Sequence, residues 1–196
     1  MTKHIGGLAL IAAIALSAHA AYRADDDDEK KKVKEAQKAI VDLAEALEAG
    51  KDPKDAVAAI RKKYDDLLTV MHVYKTREKG GYGVGPKGKS DGIELKIVDM
   101  GKRAPSKATL DKYKDEYVKM GYLNLAMGKI AHAYPPAKPV KGKGAKEWKQ
   151  HSDDQEKASK ELIEAFKKGD GAAVKRAATN LNAACNNCHS DFRDIS

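Results

Sequence analysis

Residues 171 to 193 read GAAVKRAATNLNAACNNCHSDFR, and this stretch predicts a helix. Its apolar side chains recur every three or four positions, so they lie on one helical face. Asp170, directly before the stretch, is a favourable N-cap, and Gly169 is a typical end for a preceding helix. The inward-facing residues are Val174, Ala177, Leu181, Ala184, Cys188 and Phe192. The stretch therefore predicts the second helix of a helical hairpin.

Within this helix, Cys185-Asn186-Asn187-Cys188-His189 has the Cys-x-x-Cys-His spacing that attaches a c-type haem. Two thiols one helical turn apart can each form a thioether with a haem vinyl group. His189 lies four residues after Cys185 on the same face, and it is the predicted proximal ligand of the iron. The chain has 2 cysteines, so the motif predicts one covalent haem and leaves no thiol for a disulfide.

Two other uses of the same residues are less consistent with the sequence. A structural zinc site needs about four ligands, commonly with a second Cys or His pair, and the chain has no second Cys pair. A thioredoxin-like dithiol begins a helix that follows a strand, whereas these cysteines lie late in a helix. Haem attachment is therefore the favoured interpretation.

The N-terminal stretch predicts export. Lys3 precedes an apolar run from residue 5 to residue 18, and Ala18-His19-Ala20 is a typical cleavage site, so residues 1 to 20 read as a secretory signal peptide. The run is interrupted by glycines and is shorter than the roughly 18 residues of a membrane span, so no stable membrane anchor is expected. Residues 21 to 196 then form a single haem-binding domain in the periplasm, since bacteria attach haem c outside the cytoplasm.

The charge of the chain excludes some partners and favours others. The formal net charge is +8, and removal of Lys3 with the signal peptide leaves 36 basic and 29 acidic residues, or +7. Lysines alternate with acidic residues along the helices, and no nucleic-acid motif is present, so nucleic acid is not an expected partner. A lysine-rich rim instead favours an acidic redox partner protein.

Helical periodicity extends over most of the chain, and no segment alternates as a strand. One stripe runs along residues 33 to 47, a second from residue 57 to residue 74 after Pro53, a third from residue 110 to residue 134, and a fourth from residue 148 to residue 166. Their members are Val33, Ala36, Ile40, Leu43 and Leu47; Val57, Ile60, Tyr64, Leu67, Met71 and Tyr74; Leu110, Tyr113, Tyr117, Met120, Asn124, Met127, Ile130 and Tyr134; and Trp148, His151, Gln155, Ala158, Leu162 and Phe166. Each stripe predicts one continuous helix.

Two segments interrupt the helices. Residues 79 to 106 are rich in glycine and contain one short predicted helix, residues 93 to 100; we interpret them as a loop insertion, a flexible connector that covers the haem. Residues 137 to 144 form a linker of proline, glycine and lysine. The predicted fold is therefore all-α, a four-helix bundle with an additional N-terminal helix and a Gly-rich loop insertion.

A C-terminal helix that ends in Cys-x-x-Cys-His, followed by Phe192 and Arg193, resembles the class II cytochromes c, the cytochrome c prime family. The resemblance is strongest over residues 145 to 194, the final two helices and their Gly-Asp turn. It implies a haem held in a four-helix bundle, with Arg193 as a haem-binding candidate beside a propionate or beside His189. An exposed, unengaged arginine is the alternative. Homodimers are common in this family, but here the additional N-terminal helix competes for the surface of the first helices, so the resemblance leaves a homodimer open.

The sixth iron ligand decides the function that the resemblance implies. Family members with a methionine from the first bundle helix are electron carriers, whereas members without a sixth ligand bind nitric oxide or carbon monoxide. Met71 lies on the inward stripe of the second helix in a similar local setting, with His72 as the alternative distal ligand and ordinary core packing as the competing role. Other methionines and histidines are expected in packing or on the surface: Met120, Met127, His132 and His151. The residues expected to line the porphyrin are Tyr64, Tyr74, Tyr113, Tyr117 and Trp148.

The sequence thus predicts an exported monohaem c-type cytochrome that transfers electrons and is not an enzyme. The alternative is a high-spin protein that binds nitric oxide or carbon monoxide at an open distal site. Peroxidase chemistry would need a distal acid-base histidine, for which His72 is the candidate. The sequence leaves open the reduction potential, the electron donor and acceptor, and the oligomeric state.

Overall fold

Eight α-helices, joined by turns and two short 3₁₀ segments, make up the part of the chain that the structure describes. The structure, a computed structural model, describes the backbone of residues 9–193 and the side chains of residues 27–193. The helices are α1 (Ala9–Glu48), α2 (Lys54–Lys63), α3 (Leu67–Met71), α4 (Ile93–Lys102), α5 (Lys107–Lys112), α6 (Lys114–Ala131), α7 (Ala145–Lys168) and α8 (Gly171–Phe192). No strand lies between residues 9 and 193, which confirms the predicted all-α fold.

The predicted signal peptide, residues 1 to 20, lies outside the residues whose side chains are described. Across the described residues, none of the helices combines the length and the apolar character that a membrane-spanning helix needs.

The long helices α1, α6, α7 and α8 form the bundle. Helix α7 packs between α6 and α8, α1 lies along α6, and α4 lies along the other side of α8. The first helix was expected as an addition to the bundle, but Ala36, Ile40 and Leu43 of α1 are buried in the common core. Gly121 of α6 allows close packing, because a Cβ atom there would lie 2.6 Å from Ile163 Cγ1 of α7.

The prediction of one continuous second helix is wrong, because the chain breaks after α2. Tyr64 is extended, and its buried backbone carbonyl accepts a hydrogen bond from the Tyr134 hydroxyl at 2.6 Å. Asp66 then caps α3, with its carboxylate accepting from the backbone N–H of Leu68 at 2.7 Å. A 3₁₀ turn, His72–Tyr74, continues the chain toward the loop. The Asp66 cap and the hydrogen bond to the buried Tyr64 carbonyl stabilise the bend relative to a continued helix.

The third stripe is also divided, into α5 and α6, by Tyr113. This residue leaves helical geometry with φ −115° and ψ 22°, so it ends α5 and precedes α6. Ser106 caps α5 by accepting a hydrogen bond from the backbone N–H of Thr109. Helix α6 ends at Ala131, shortly before the two prolines that were expected to stop it.

Residues 79 to 106 contain α4 where the short helix was predicted, and hydrogen bonds to Asp91 organise the loop before it. The buried Asp91 carboxylate accepts hydrogen bonds from Arg77 Nη1 at 2.8 Å, from Arg77 N at 3.1 Å and from Gly88 N at 3.4 Å. Burial alone would raise the pKa of Asp91, but the hydrogen bonds from Arg77 outweigh it and hold the pKa below its usual range. The loop is therefore organised around an ion pair, and α4 packs against α8.

Candidate functional site

The α7–α8 hairpin positions the Cys-x-x-Cys-His motif. Gly169 ends α7 with a φ of +65°, a conformation that favours glycine, and the Asp170 carboxylate accepts from Ala172 N at 2.9 Å and Ala173 N at 3.0 Å. Both features match the predicted turn. The two-residue connection sets α7 and α8 antiparallel, which brings the start of α7 beside the end of α8.

Three contacts hold the end of α8 in place. The Phe192 ring packs edge-on against Trp148, with 5.1 Å between ring centroids. The Asp191 carboxylate accepts from Lys143 Nζ at 2.6 Å and from His151 Nε2 at 2.8 Å. These two hydrogen bonds, the one from Lys143 first, hold the pKa of Asp191 below its usual range. The helical turn that carries the motif is therefore fixed to both α7 and the linker before it.

The two motif cysteines are free thiols on the core side of α8. Cys185 and Cys188 are half-buried and pack against the hydrophobic core. Burial, followed by the neighbouring Cys188, raises the pKa of Cys185 to about 12. Burial, followed by Asp191, raises the pKa of Cys188 to about 11. Both side chains are therefore protonated thiols at neutral pH.

His189 lies on an exposed flank of α8, one turn after Cys185. Its backbone carbonyl accepts a hydrogen bond from Arg193 N at 3.0 Å, so both residues belong to the last turn of the helix. The Arg193 side chain is exposed. The structure thus keeps the predicted thiols and imidazole on adjacent turns, while the role of Arg193 stays a prediction.

A hydrogen bond that the sequence did not predict, between Gln155 and Tyr74, lies near Cys185. Gln155 Nε2 of α7 donates to the Tyr74 hydroxyl at 3.0 Å and to the Asn124 carbonyl at 3.4 Å. Burial, followed by the nearby Cys185, raises the pKa of Tyr74 well above its usual range, so the hydroxyl keeps its proton. Asn124 Oδ1 of α6 is buried and accepts no hydrogen bond. The sequence signal was the presence of polar Asn124 and Gln155 on stripes that are otherwise largely apolar.

The proposed distal ligands lie on a segment that packs mainly along α1. Helix α3 packs along α1, and Met71 at its end is partly buried against the core. His72 Nε2 accepts from Lys75 Nζ at 2.9 Å. Burial, followed by Lys75, lowers the pKa of His72, while Glu29 and Asp66 act on it in the opposite direction. The charged neighbours of His72 thus lie on the α1–α3 side, and a distal role for either residue stays a prediction.

The other expected residues divide between the two ends of the bundle. Trp148 and Tyr74 lie at the motif end, but Tyr117 packs against Phe166 near the α7–α8 turn, with 5.4 Å between ring centroids, and Tyr113 packs against Tyr117. The aromatic residues expected to line the porphyrin are therefore spread over more of the bundle than one haem site. An apolar stripe predicts which face of a helix a residue lies on, but it does not predict which residues of other helices lie beside it. Met120 and Met127 are buried in α6, and His132 pairs with Asp153 and Glu156.

The residues present fit a haem c better than a bare metal ion. Two neutral thiols and one imidazole on adjacent turns are the donor set of a c-type haem. The adjoining core provides apolar surface, together with the unpartnered Asn124 Oδ1 and the Tyr74 hydroxyl as polar groups. Between residues 27 and 193, no group of three or more His, Cys, Asp and Glu side chains could hold a metal ion. The zinc alternative therefore gains no support.

Comparison with known proteins agrees with this donor set. The family model described as Cytochrome C' matches residues 137–193, which contain α7, α8 and the linker before them. No curated protein and no solved structure matches the chain. The matched residues are the hairpin that carries both thiols and the imidazole. Residues 137–193, the segment that carries the motif, are therefore similar to the cytochrome C' family.

Proposed function

We propose that this chain is an exported monohaem c-type cytochrome that transfers electrons and catalyses no reaction. The observation that carries the proposal is the pair of free, half-buried thiols on the turn before His189, on a helix end pinned by Asp191 and Phe192. When bound, the haem supplies an iron that alternates between the ferric and ferrous states. The protein supplies attachment, orientation and an apolar surrounding.

Each motif residue has one role in this proposal. Cys185 and Cys188 each add a thiol S–H across one haem vinyl group, which forms a carbon–sulfur bond and moves the thiol hydrogen to the vinyl carbon. His189 donates its imidazole nitrogen to the iron. The burial that keeps both thiols protonated also keeps this edge of the site apolar. Export to the periplasm follows from the predicted signal peptide, residues 1 to 20.

A second candidate function is the binding of nitric oxide or carbon monoxide at an open distal position. The observation that favours it is the placement of His72, whose imidazole contacts Lys75 and whose charged neighbours are Glu29 and Asp66. Neither His72 nor Met71 lies on a helix that packs along α8.

The partner in electron transfer is proposed to be an acidic protein that docks at the motif end of the bundle. Lys143 is bonded to Asp191 of α8, so the linker lies beside the motif helix. A tight turn closed by hydrogen bonds between Val140 and Lys143 presents this part of the linker. The lysines of the linker and of the first turns of α7 are Lys138, Lys141, Lys143, Lys146 and Lys149. Such a concentration of positive charge favours an acidic surface.

The first experiment is expression of the full chain together with a bacterial cytochrome c maturation system. Covalent attachment is measured as haem that stays with the denatured protein, and spin state is measured by optical and electron paramagnetic resonance spectroscopy. We expect one covalent haem for each chain. A chain that is exported beside the maturation system but carries no covalent haem would contradict the proposal.

Carbon monoxide then separates the two candidate functions. In an electron carrier, the porphyrin and two protein side chains fill all six positions around the iron, so carbon monoxide is excluded at neutral pH. An open distal site binds carbon monoxide in the reduced state. Met71→Leu and His72→Phe serve as tests of the distal position. A low-spin spectrum that one of them converts to high-spin identifies the sixth ligand, and a high-spin wild-type spectrum unaffected by both favours gas binding.

A further inference from the structure

In the antiparallel α7–α8 hairpin, Gln155 of α7 lies level with the Cys-x-x-Cys-His motif of α8. Two side-chain contacts fix the antiparallel register: Asn180 Nδ2 donates to Glu161 Oε2 at 3.2 Å, and His151 Nε2 bonds to Asp191 Oδ2 at 2.8 Å. Gln155 follows His151 by four residues, so it lies level with the residue four positions before Asp191. That position, residue 187, falls between the two motif cysteines.

Gln155 also holds the phenol of Tyr74 level with the motif. Its side-chain amide donates to the Tyr74 hydroxyl oxygen at 3.0 Å, although 81 residues separate the two in sequence. Tyr74 ends the 3₁₀ turn His72–Tyr74, and the neighbouring groups that raise the pKa of its hydroxyl, after burial, are Cys185 of α8 and Glu94 of α4. The phenol therefore reaches the place where α4, α7 and α8 meet beside Cys185.

The direction of the Tyr74 O–H bond follows from this hydrogen bond. Because the oxygen accepts from Gln155, the hydroxyl hydrogen points away from Gln155 and is left for a second partner. The Gln155 amide is itself held by the carbonyl of Asn124 at 3.4 Å. Tyr74 is partly buried, and among the described residues no protein group accepts its hydroxyl hydrogen, so this hydrogen is available to a ligand group beside it.

We propose that Tyr74 contacts the haem on its Cys185 side and that the Tyr74 hydroxyl hydrogen, oriented by Gln155, stabilises the ferrous state. The inference rests on the proposed attachment of haem at this site. The ferrous iron carries one positive charge fewer than the ferric iron, so the positive end of a nearby O–H dipole favours reduction. In a core of low dielectric constant this interaction is stronger than in water. Gln155 acts through Tyr74 and is a positioning residue.

The test compares the reduction potentials of three haem-loaded proteins: wild type, Tyr74→Phe, and Tyr117→Phe as the matched control. Tyr117 packs against Phe166, three turns of α7 away from Gln155. We expect Tyr74→Phe to shift the ferric/ferrous equilibrium about threefold toward the ferric state, or about 28 mV, since a tenfold change in a one-electron equilibrium is about 59 mV. Tyr117→Phe is expected to leave the potential unchanged.

Gln155→Leu provides a second test, in which the phenol stays but loses its donor. The expected result is a smaller decrease in potential, and no additional decrease when Gln155→Leu is combined with Tyr74→Phe, because both changes act through one hydroxyl. If Tyr74→Phe changes the potential no more than Tyr117→Phe does, or if the two changes simply add, the inference is overturned while haem attachment stands. A wild-type chain without covalent haem contradicts the proposed function itself.

Discussion

At the scale of single residues, the two thiols have equivalent chemistry but different surroundings. Burial raises the pKa of both thiols most; after burial, Cys188 and Glu94 raise the pKa of Cys185, and Asp191 raises the pKa of Cys188. Each cysteine is expected to saturate one vinyl group of the haem. Loss of one thioether leaves that vinyl group conjugated with the ring, which changes the absorption spectrum of the attached haem.

We predict that Cys185→Ser and Cys188→Ser each retain haem through the remaining thioether, in lower yield than wild type. The α band of the pyridine haemochrome moves to longer wavelength in both variants because one vinyl group remains unsaturated. The control is Asn186→Ser, which places a hydroxyl at an exposed position between the cysteines and should leave the band unchanged. An unshifted band in either cysteine variant would mean that this cysteine forms no thioether.

At the scale of elements, the start of α8 depends on one carboxylate. Asp170 accepts from two backbone N–H groups, and these hydrogen bonds, the one from Ala173 first, hold its pKa below the ordinary value of 3.8. A lowered pKa in the folded state means that the ionised carboxylate contributes stability above the pKa of the unfolded chain. That contribution is lost as the pH falls through the lowered pKa of the folded state.

We predict that Asp170→Ala decreases the free energy of unfolding at pH 7 and that the difference from wild type shrinks below about pH 4. Asp170→Asn keeps an oxygen acceptor for the cap, so it should retain more stability at pH 7 and show less dependence on pH. Urea unfolding followed by circular dichroism gives both quantities. Asp154→Ala, in the exposed middle of α7, is the control. If the difference in the free energy of unfolding between wild type and Asp170→Ala stays constant down to pH 3, the role assigned to the charge of Asp170 is contradicted.

Helix periodicity predicted which faces are buried better than it predicted where helices end. The stripes of α7 and α8 and their Gly-Asp turn agree with the structure because local sequence contains both the caps and the period. The breaks at Tyr64 and Tyr113 could not be predicted, because the apolar stripe continues through both. At Tyr64 the decisive contact is the hydrogen bond that the Tyr134 hydroxyl donates to the Tyr64 carbonyl, from 70 residues away in sequence.

At the scale of the whole molecule, α8 separates two ends of the bundle, and lysines lie near both. Its 22 residues span about 33 Å. The turn end lies near α5, since a Cβ atom on Gly169 would be 3.9 Å from Asp111 Oδ1. The motif end lies beside the lysines of the linker and α7. The proposed docking surface can therefore be tested with two pairs of substitutions, one at each end, that change the total charge of the protein by the same amount.

We predict that Lys138→Glu combined with Lys146→Glu slows electron exchange with the anion hexacyanoferrate several-fold at low ionic strength and accelerates exchange with a cationic cobalt complex. Stopped-flow rates at increasing salt should converge, because salt screens charges beyond about 10 Å at 0.1 M. Lys102→Glu combined with Lys168→Glu makes the same change in charge at the turn end and should have a smaller effect. Equal effects of the two pairs would contradict docking at the motif end.

The sequence predicted the candidate site as a motif but not as a three-dimensional environment. Spacing alone identifies Cys185, Cys188 and His189 because all three lie on consecutive turns of one helix. The proximity of Tyr74 to Gln155 depends on how the chain bends after α2 and on how α4 lies along α8, and neither is encoded in a local pattern. The face of His72 could not be predicted for the same reason, since the helix expected around it does not form.

The anchoring of the last turn of α8 by Asp191 and Phe192 has a consequence for the rate of electron transfer. The activation barrier of such a reaction includes the reorganisation energy, which is the cost of moving atoms from their positions in one oxidation state to those in the other. A helix end bonded to Lys143 and His151 and packed on Trp148 restricts movement of the backbone that carries His189. Under the proposed function, this rigidity lowers the reorganisation energy, and the electron self-exchange rate is the quantity that measures it.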